Sequence, residues 1–175
     1  MTDTGIVFDR AAVRRHRDRA AADFARHDFL FQEIADRLGD RLQDVDRRFT
    51  SVLDLGGGHG APIPELDTTT IITGDLSEAM LRRSGRQRPV ALNEEYLPFG
   101  VNAFDLAVST LSLHWVNDLP GALIQIRQAL KPDGLFMAAI LGGDTLIELR
   151  RVLLEADAET TGGTRPHTSP VADVA

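Results

Sequence analysis

A chain of 175 residues, 43% hydrophobic and 26% charged, has the make-up of one ordinary globular domain long enough to bury a core. Its formal charge of -7 argues against a nucleic-acid binder, which would carry a basic surplus. The absence of cysteine excludes disulfides, thiolate metal sites and a cysteine nucleophile, and no apolar stretch reaches the ~18 residues of a membrane span.

In chain order, Met1 to Arg10 lacks the core of a signal peptide. Residues 1–50 carry ten arginines and ten acidic residues, so all the net negative charge lies in residues 51–175. Residues 10–26 read as a helix dense in Arg and Ala, with Arg10, Arg14, Arg15, Arg17 and Arg19 close together. The run reads either as a solvated face or as a lid or docking helix for an acidic ligand or partner. A second helix, His27 to Leu42, places Phe31, Ile34, Ala35 and Leu38 at core-facing spacing. These helices define residues 1–49 as an N-terminal helical extension, and residues 50–175 as the main domain.

That domain opens on Ser51 to Gly60, where the apolar run Val52, Leu53, Leu55 breaks into four glycines within five residues. Asp54 lies inside the run, where a carboxylate needs a partner, and Gly56, Gly58 and Gly60 alternate so that backbone can approach a nucleotide-sized ligand. Gly56-x-Gly58-x-x-Ala61 also fits a dinucleotide fingerprint, and both readings expect an acid near the end of the next strand, a place filled by Asp75. Asp54 is surplus to a pyrophosphate binder and suits the cationic amino-acid end of S-adenosylmethionine.

Only the nine residues Ala61 to Thr69, two of them proline, lead from the loop to the next strand, so the first crossover helix is expected to be stunted to one or two turns. Ser77 then reads as the N-cap of a helix through Arg83 with Met80 and Leu81 inward and Arg82, Arg83, Arg86 and Arg88 toward solvent. Further strands are expected at Pro89–Asn93, Phe104–Ser109 and Leu135–Leu141, the last after a Lys131-Pro132-Asp133-Gly134 turn. Between them a helix from Leu119 to Leu130 presents Ala122, Leu123, Ile126 and Leu130. Thr145-Leu146-Ile147-Glu148 has capping-box spacing before a helix with Leu149, Val152, Leu153 and Ala156 inward. Alternating strand and helix predicts a doubly wound, Rossmann-like α/β fold with ligand at the carboxyl ends of a parallel sheet.

Taken together, Asp54-Leu55-Gly56-Gly57-Gly58-His59-Gly60, Gly74-Asp75-Leu76-Ser77, Glu95-Tyr96-Leu97-Pro98-Phe99, Phe104-Asp105 and Leu130 to Gly134 resemble the class I S-adenosylmethionine-dependent methyltransferases. More narrowly, Phe8-Asp9-Arg10, His27 to Leu30, Leu113 to Pro120 and Gly142 to Leu146 look like the complex I assembly factor 5 family, whose bacterial relatives are similar to malonyl-carrier-protein methyltransferases of the biotin pathway. The resemblance implies that Asp54 and the glycines hold the methionine moiety of S-adenosylmethionine, Asp75 the ribose and Leu76 one adenine face. It puts Asn93 where relatives often carry an Asp for the adenine amino group, and has Glu94 offer backbone N–H to the ring. It also implies a sixth and seventh strand that this sequence lacks, hence a fragment or truncated chain.

His114 and Trp115 follow the fourth strand; His114 is placed to act as general base or to shape the pocket. His16-Arg17-Asp18 has letters for an iron site but no second histidine, and no metal is assigned. The first functional expectation is methyl transfer to a protein or small-molecule acceptor. Implied by the resemblance alone is arginine hydroxylation or assembly work on a respiratory complex I subunit; a third reading is a cofactor-binding protein without catalysis. A bacterial chain would be cytoplasmic and a eukaryotic one mitochondrial. The unpaired edge of the fifth strand predicts dimerisation or aggregation.

Overall fold

The computed structural model describes residues 6–60, 70–163, 165 and 167–171. The chain divides into two compact units, residues 1–139 and residues 140–175. The expected stunted helix at Ala61–Thr69 lies outside the described residues.

In the first unit, helix α1 (Arg10–Ala20) starts at Asp9, whose carboxylate accepts from the backbone N–H of Ala11 and Ala12 at 2.9 and 3.1 Å. It buries none of its own residues, and the reading of one helix over 10–26 resolves into α1 and a short 3-10 turn, Phe24–Arg26. Helix α2 (Phe29–Gln43) is amphipathic: Leu38 and Leu42 pack with Phe49, Val52, Leu106 and Val108, and Ile34 lies against this cluster.

The sheet is built from β1 (Ser51–Leu55), β2 (Thr70–Asp75), β3 (Pro89–Ala91), β4 (Phe104–Thr110) and β5 (Leu130–Ala139), in the order β3-β2-β1-β4-β5. Every pairing is parallel. The chain runs outward from β1 through β2 to β3, then crosses to β4 on β1's other side, so the order reverses between β1 and β4. Such a reversal opens a crevice beyond the strands' carboxyl ends. Strands β1 and β4 are buried on both faces, as parallel strands between helices are. Helix α3 (Glu78–Ser84) buries Met80 and Leu81, and helix α4 (Leu119–Ala129) buries Ala122, Ile126 and Ala129.

The carboxylate of Asp105 ties the start of β1 to β4. It accepts from the N–H of Thr50 and Ser51 and from the Thr50 hydroxyl. Burial alone would raise its pKa, but these bonds and Lys131 together hold it below the usual carboxylate value.

Several local expectations are corrected. Lys131 to Gly134 does not precede β5 as a turn: it is a bulge inside β5, since Phe104 pairs with Leu130 and Leu106 with Leu135, and Asp133 takes φ 62°. Leu123 is exposed, because α4 turns the face carrying Ala122, Ile126 and Ala129 inward. Arg83 does not face solvent. It donates to the His59 carbonyl at 3.0 Å and lies over the Phe24 ring. Arg86 is half-buried too, and its charge acts on Asp54 and His59.

In the second unit, helix α5 (Ile147–Thr161) begins after Leu146 in the left-handed region, with no side-chain cap. Thr145 therefore forms no capping box. Leu149 and Val152 are 46% and 55% exposed and Ala156 is exposed, so the inward face expected of this helix is not buried.

Candidate functional site

The crevice is floored by the Gly-rich turn after β1. Gly56 at φ 78° and Gly60 at φ 75° bracket a 3-10 turn, Gly57–His59, and need glycine for their backbone angles. Gly57 and Gly58 need it for space. A Cβ at Gly57 would fall onto the Asp54 carboxylate, and one at Gly58 would lie 2.7 Å from Asp75 Oδ2 and 2.8 Å from the Met80 Cβ. The loop is thus shaped around the chain's own two carboxylates.

Asp54 is 1% exposed, and its Oδ2 has no hydrogen-bond partner among the described residues. Burial pushes its pKa up to about 7; the Arg86 charge and the Thr73 hydroxyl oppose the rise, and Asp75 adds to it. Asp75, equally buried, is fully engaged. It accepts from Ser77 N at 2.8 Å, Gly58 N at 3.1 Å and Arg17 Nη1 at 3.2 Å. Ser77 caps α3 by accepting from Met80 N and donates its hydroxyl to Asp18 at 2.5 Å. Leu76 between them is half-buried.

Helix α1 closes the crevice from above. Arg10, Arg14 and Arg17, spaced i, i+4, i+7, lie on one helical face, and each meets an acid of the sheet domain. Arg10 pairs with Glu94 and donates to Asn93 Oδ1 at 3.0 Å and to the Trp115 carbonyl at 2.8 Å. Arg14 meets Glu78 at 3.2 Å. Arg17 bridges Asp75, the Ser112 hydroxyl at 3.1 Å and, at 3.6 Å, Glu94. Glu94 is fully buried and accepts from Ser112 Oγ at 2.7 Å. These three residues are therefore neither a purely solvated face nor shown to meet a ligand or partner: their acids belong to this chain's own sheet domain. Arg10, Arg17, Ser112 and the Glu94 carboxylate are site residues that the sequence reading did not assign; the i, i+4, i+7 spacing was the available signal.

Beneath α1 lies a cavity of about 250 Å³, lined by Val13, Arg17, Phe31, Gly56, Asp75 and Trp115 among others. His59 lines it as well, but buried against the Phe31 ring at 5.1 Å rather than in contact with solvent. Burial, with Arg86, Arg17 and Arg83 nearby, lowers the His59 pKa to about 3. His114, in a 3-10 turn after β4, is half-buried with its Nδ1 unpartnered among the described residues. Burial and then the Arg17 charge lower its pKa to about 4, so it is a neutral imidazole near pH 7. His16 and Asp18 diverge, His16 to the cavity wall and Asp18 to Ser77.

The predicted positions therefore converge: Asp54, Gly56, Gly58, Gly60, Asp75, Leu76, Asn93 and Glu94 all sit at the carboxyl ends of β1, β2 and β3. S-adenosylmethionine fits such a donor set. An unpartnered buried carboxylate oxygen meets the need of a cationic group, and the turn beside it carries no side chain where one would intrude.

Residues 53–138 match the methyltransferase domain family. The chain is 45% identical to human mitochondrial arginine-hydroxylase NDUFAF5 over 173 residues, covering 94% of this chain and 50% of that protein. It is 32% identical over 178 residues to the malonyl-[acyl-carrier protein] O-methyltransferase of Methylovorus, covering 92% and 60%. Its fold matches a putative methyltransferase solved with the Trm112 activator of Haloferax volcanii, with TM-score 0.68 and 21% identity over 77% of this chain and 63% of that one. The chain spans about half the length of the curated relatives it matches. No described helix is long and apolar enough to cross a membrane. The parallel sheet, the glycine turn around two buried acids and the match over residues 53–138 place the chain in the class I S-adenosylmethionine-dependent methyltransferase superfamily.

Proposed function

We propose that this chain binds S-adenosylmethionine in the crevice and catalyses methyl transfer to a protein or small-molecule acceptor. The observation that carries the reading is Asp54: a buried carboxylate whose Oδ2 has no partner among the described residues, held against a turn with no side chain in the way. When bound, the cofactor supplies an activated methyl group, and the protein's work is orientation and electrostatics. Asp54, Gly56, Gly58 and Gly60 are assigned to the amino-acid end, Asp75 to ribose, and Leu76, Asn93 and Glu94 to the adenine side. The Asn93 oxygen reaches that role only if Arg10 releases it, whereas Glu94 is assigned through its backbone N–H and its carboxylate stays with Arg10. His114, neutral and with its Nδ1 unpartnered among the described residues, is assigned as the acceptor's proton acceptor.

Calorimetry with S-adenosylmethionine and with NAD, followed by labelled-methyl transfer in cell extract, tests this. S-adenosylmethionine binding that falls at least tenfold in Asp54→Ala, with labelled product, supports it; binding of NAD alone overturns it.

The 45% identity to a mitochondrial arginine-hydroxylase supports a second reading, hydroxylation or assembly work on a complex I subunit. It would place a eukaryotic chain in the mitochondrial matrix and a bacterial one in the cytoplasm. S-adenosylmethionine binding without labelled product, and an arginine heavier by one oxygen, would favour it; binding with neither product would leave a non-catalytic binding protein.

A further inference from the structure

Arg17 stands apart from the other docked arginines because its guanidinium lines the cavity itself. It is held at 3.2 Å from Asp75, 3.6 Å from Glu94 and 3.1 Å from the Ser112 hydroxyl, and its side chain is 19% exposed. Its charge is felt through the site, since it contributes to the lowered pKa values of both His59 and His114. A charge entering a cavity of about 250 Å³ comes well within a Debye length, about 8 Å at physiological ionic strength, of this guanidinium.

The two forms of the cofactor assigned above differ by one unit of charge at one atom: a sulfonium before transfer and a neutral thioether after it. We propose that Arg17 reads this difference, its docked position favouring the spent thioether and opposing the loaded sulfonium, so that α1 with Arg17 on Asp75 and Ser112 is the product-side arrangement of the site. The inference rests on the cofactor reading of the preceding section. A neutral ligand can share the cavity with the guanidinium, whereas a cationic one must displace it and take over the field of Asp75 and Glu94. A salt bridge that only fastens α1 to the sheet would weaken or strengthen both forms alike.

The test is the ratio of the dissociation constants of S-adenosylmethionine and S-adenosylhomocysteine, measured by calorimetry on the full chain. Arg17→Gln should move this ratio in favour of the sulfonium on the order of tenfold, the effect of a unit charge a few ångströms away at an intermediate dielectric. Arg17→Met should do the same through a different shape, so either folded variant decides. Arg17→Lys, which keeps the charge, and Arg14→Ala, which removes an arginine of the same helix that lies outside the cavity lining, should stay within about twofold of the wild type. An unchanged ratio in Arg17→Gln, or an equal shift in Arg17→Lys, would overturn the assignment of Arg17 while leaving the cofactor site standing. Failure of the wild type to bind either compound would overturn both.

Discussion

Asp54 carries the site's electrostatics, and it does so at a cost to stability that depends on pH. Its folded pKa of about 7 lies above the ordinary 3.8, so the folded chain keeps a proton that the unfolded chain has lost between those values. Below about pH 4 both states are protonated and nothing is lost; stability then falls as pH climbs to about 7 and levels off beyond. The loss is on the order of 4 kcal/mol. Asp54→Asn removes the buried ionisation, so its melting temperature should stand several degrees above wild type at pH 8 and converge with it at pH 4, as scanning calorimetry at the two pH values would read. A second test belongs to Gly57, where an alanine Cβ meets the Asp54 carboxylate. Gly57→Ala should cost about 1–3 kcal/mol in urea unfolding, whereas Gly85→Ala, with open space around it, should show only the strain of its φ of 65°. Asp54 and Asp75 were legible in the sequence because a carboxylate that interrupts or ends an apolar run is costly to bury unless it holds something. Arg17 and Ser112 were not, since what makes them site residues is a contact across 95 positions.

The helix that does this work, α1, is joined to the sheet mostly by charge. Arg10 is its main fastening, donating to Asn93, Glu94 and the Trp115 carbonyl at once. Removing it strands the fully buried Glu94 carboxylate, leaving the Ser112 hydroxyl and a longer contact to Arg17. Arg10→Ala should therefore destabilise the fold by about 3 kcal/mol, and adding Glu94→Gln should recover more than about 1 kcal/mol of that in a double-mutant cycle read by urea unfolding. Elements with a clear period were legible: α2, β1, β2, α3 and β4 fall within a few residues of where the apolar pattern and the Ser77 cap put them. The misses have physical causes. Lys131 to Gly134 has turn composition, but pairing with β4 resumes on both sides and turns the segment into a bulge. Thr145 has the letters of a capping box, yet Leu146 takes the capping position with φ 55°.

At the scale of the whole molecule, β3 and β5 are the two edges of the described sheet, and they differ in length. β3 has three residues and β5 ten, so β5 offers the longer row of unpaired backbone. The chain should associate with rising concentration in sedimentation velocity runs, and Ala138→Lys, at an exposed position of β5, should shift it toward monomer. A wild-type monomer at every concentration would show the edge to be protected. One further feature reaches across these scales. Trp115 is the sole tryptophan of the sequence; its ring packs edge-on to Phe8 and beside His114, and its carbonyl takes the Arg10 guanidinium. The molecule therefore carries a built-in optical probe at the joint between lid and floor, and its ultraviolet emission would follow the opening of that joint without any dye attached.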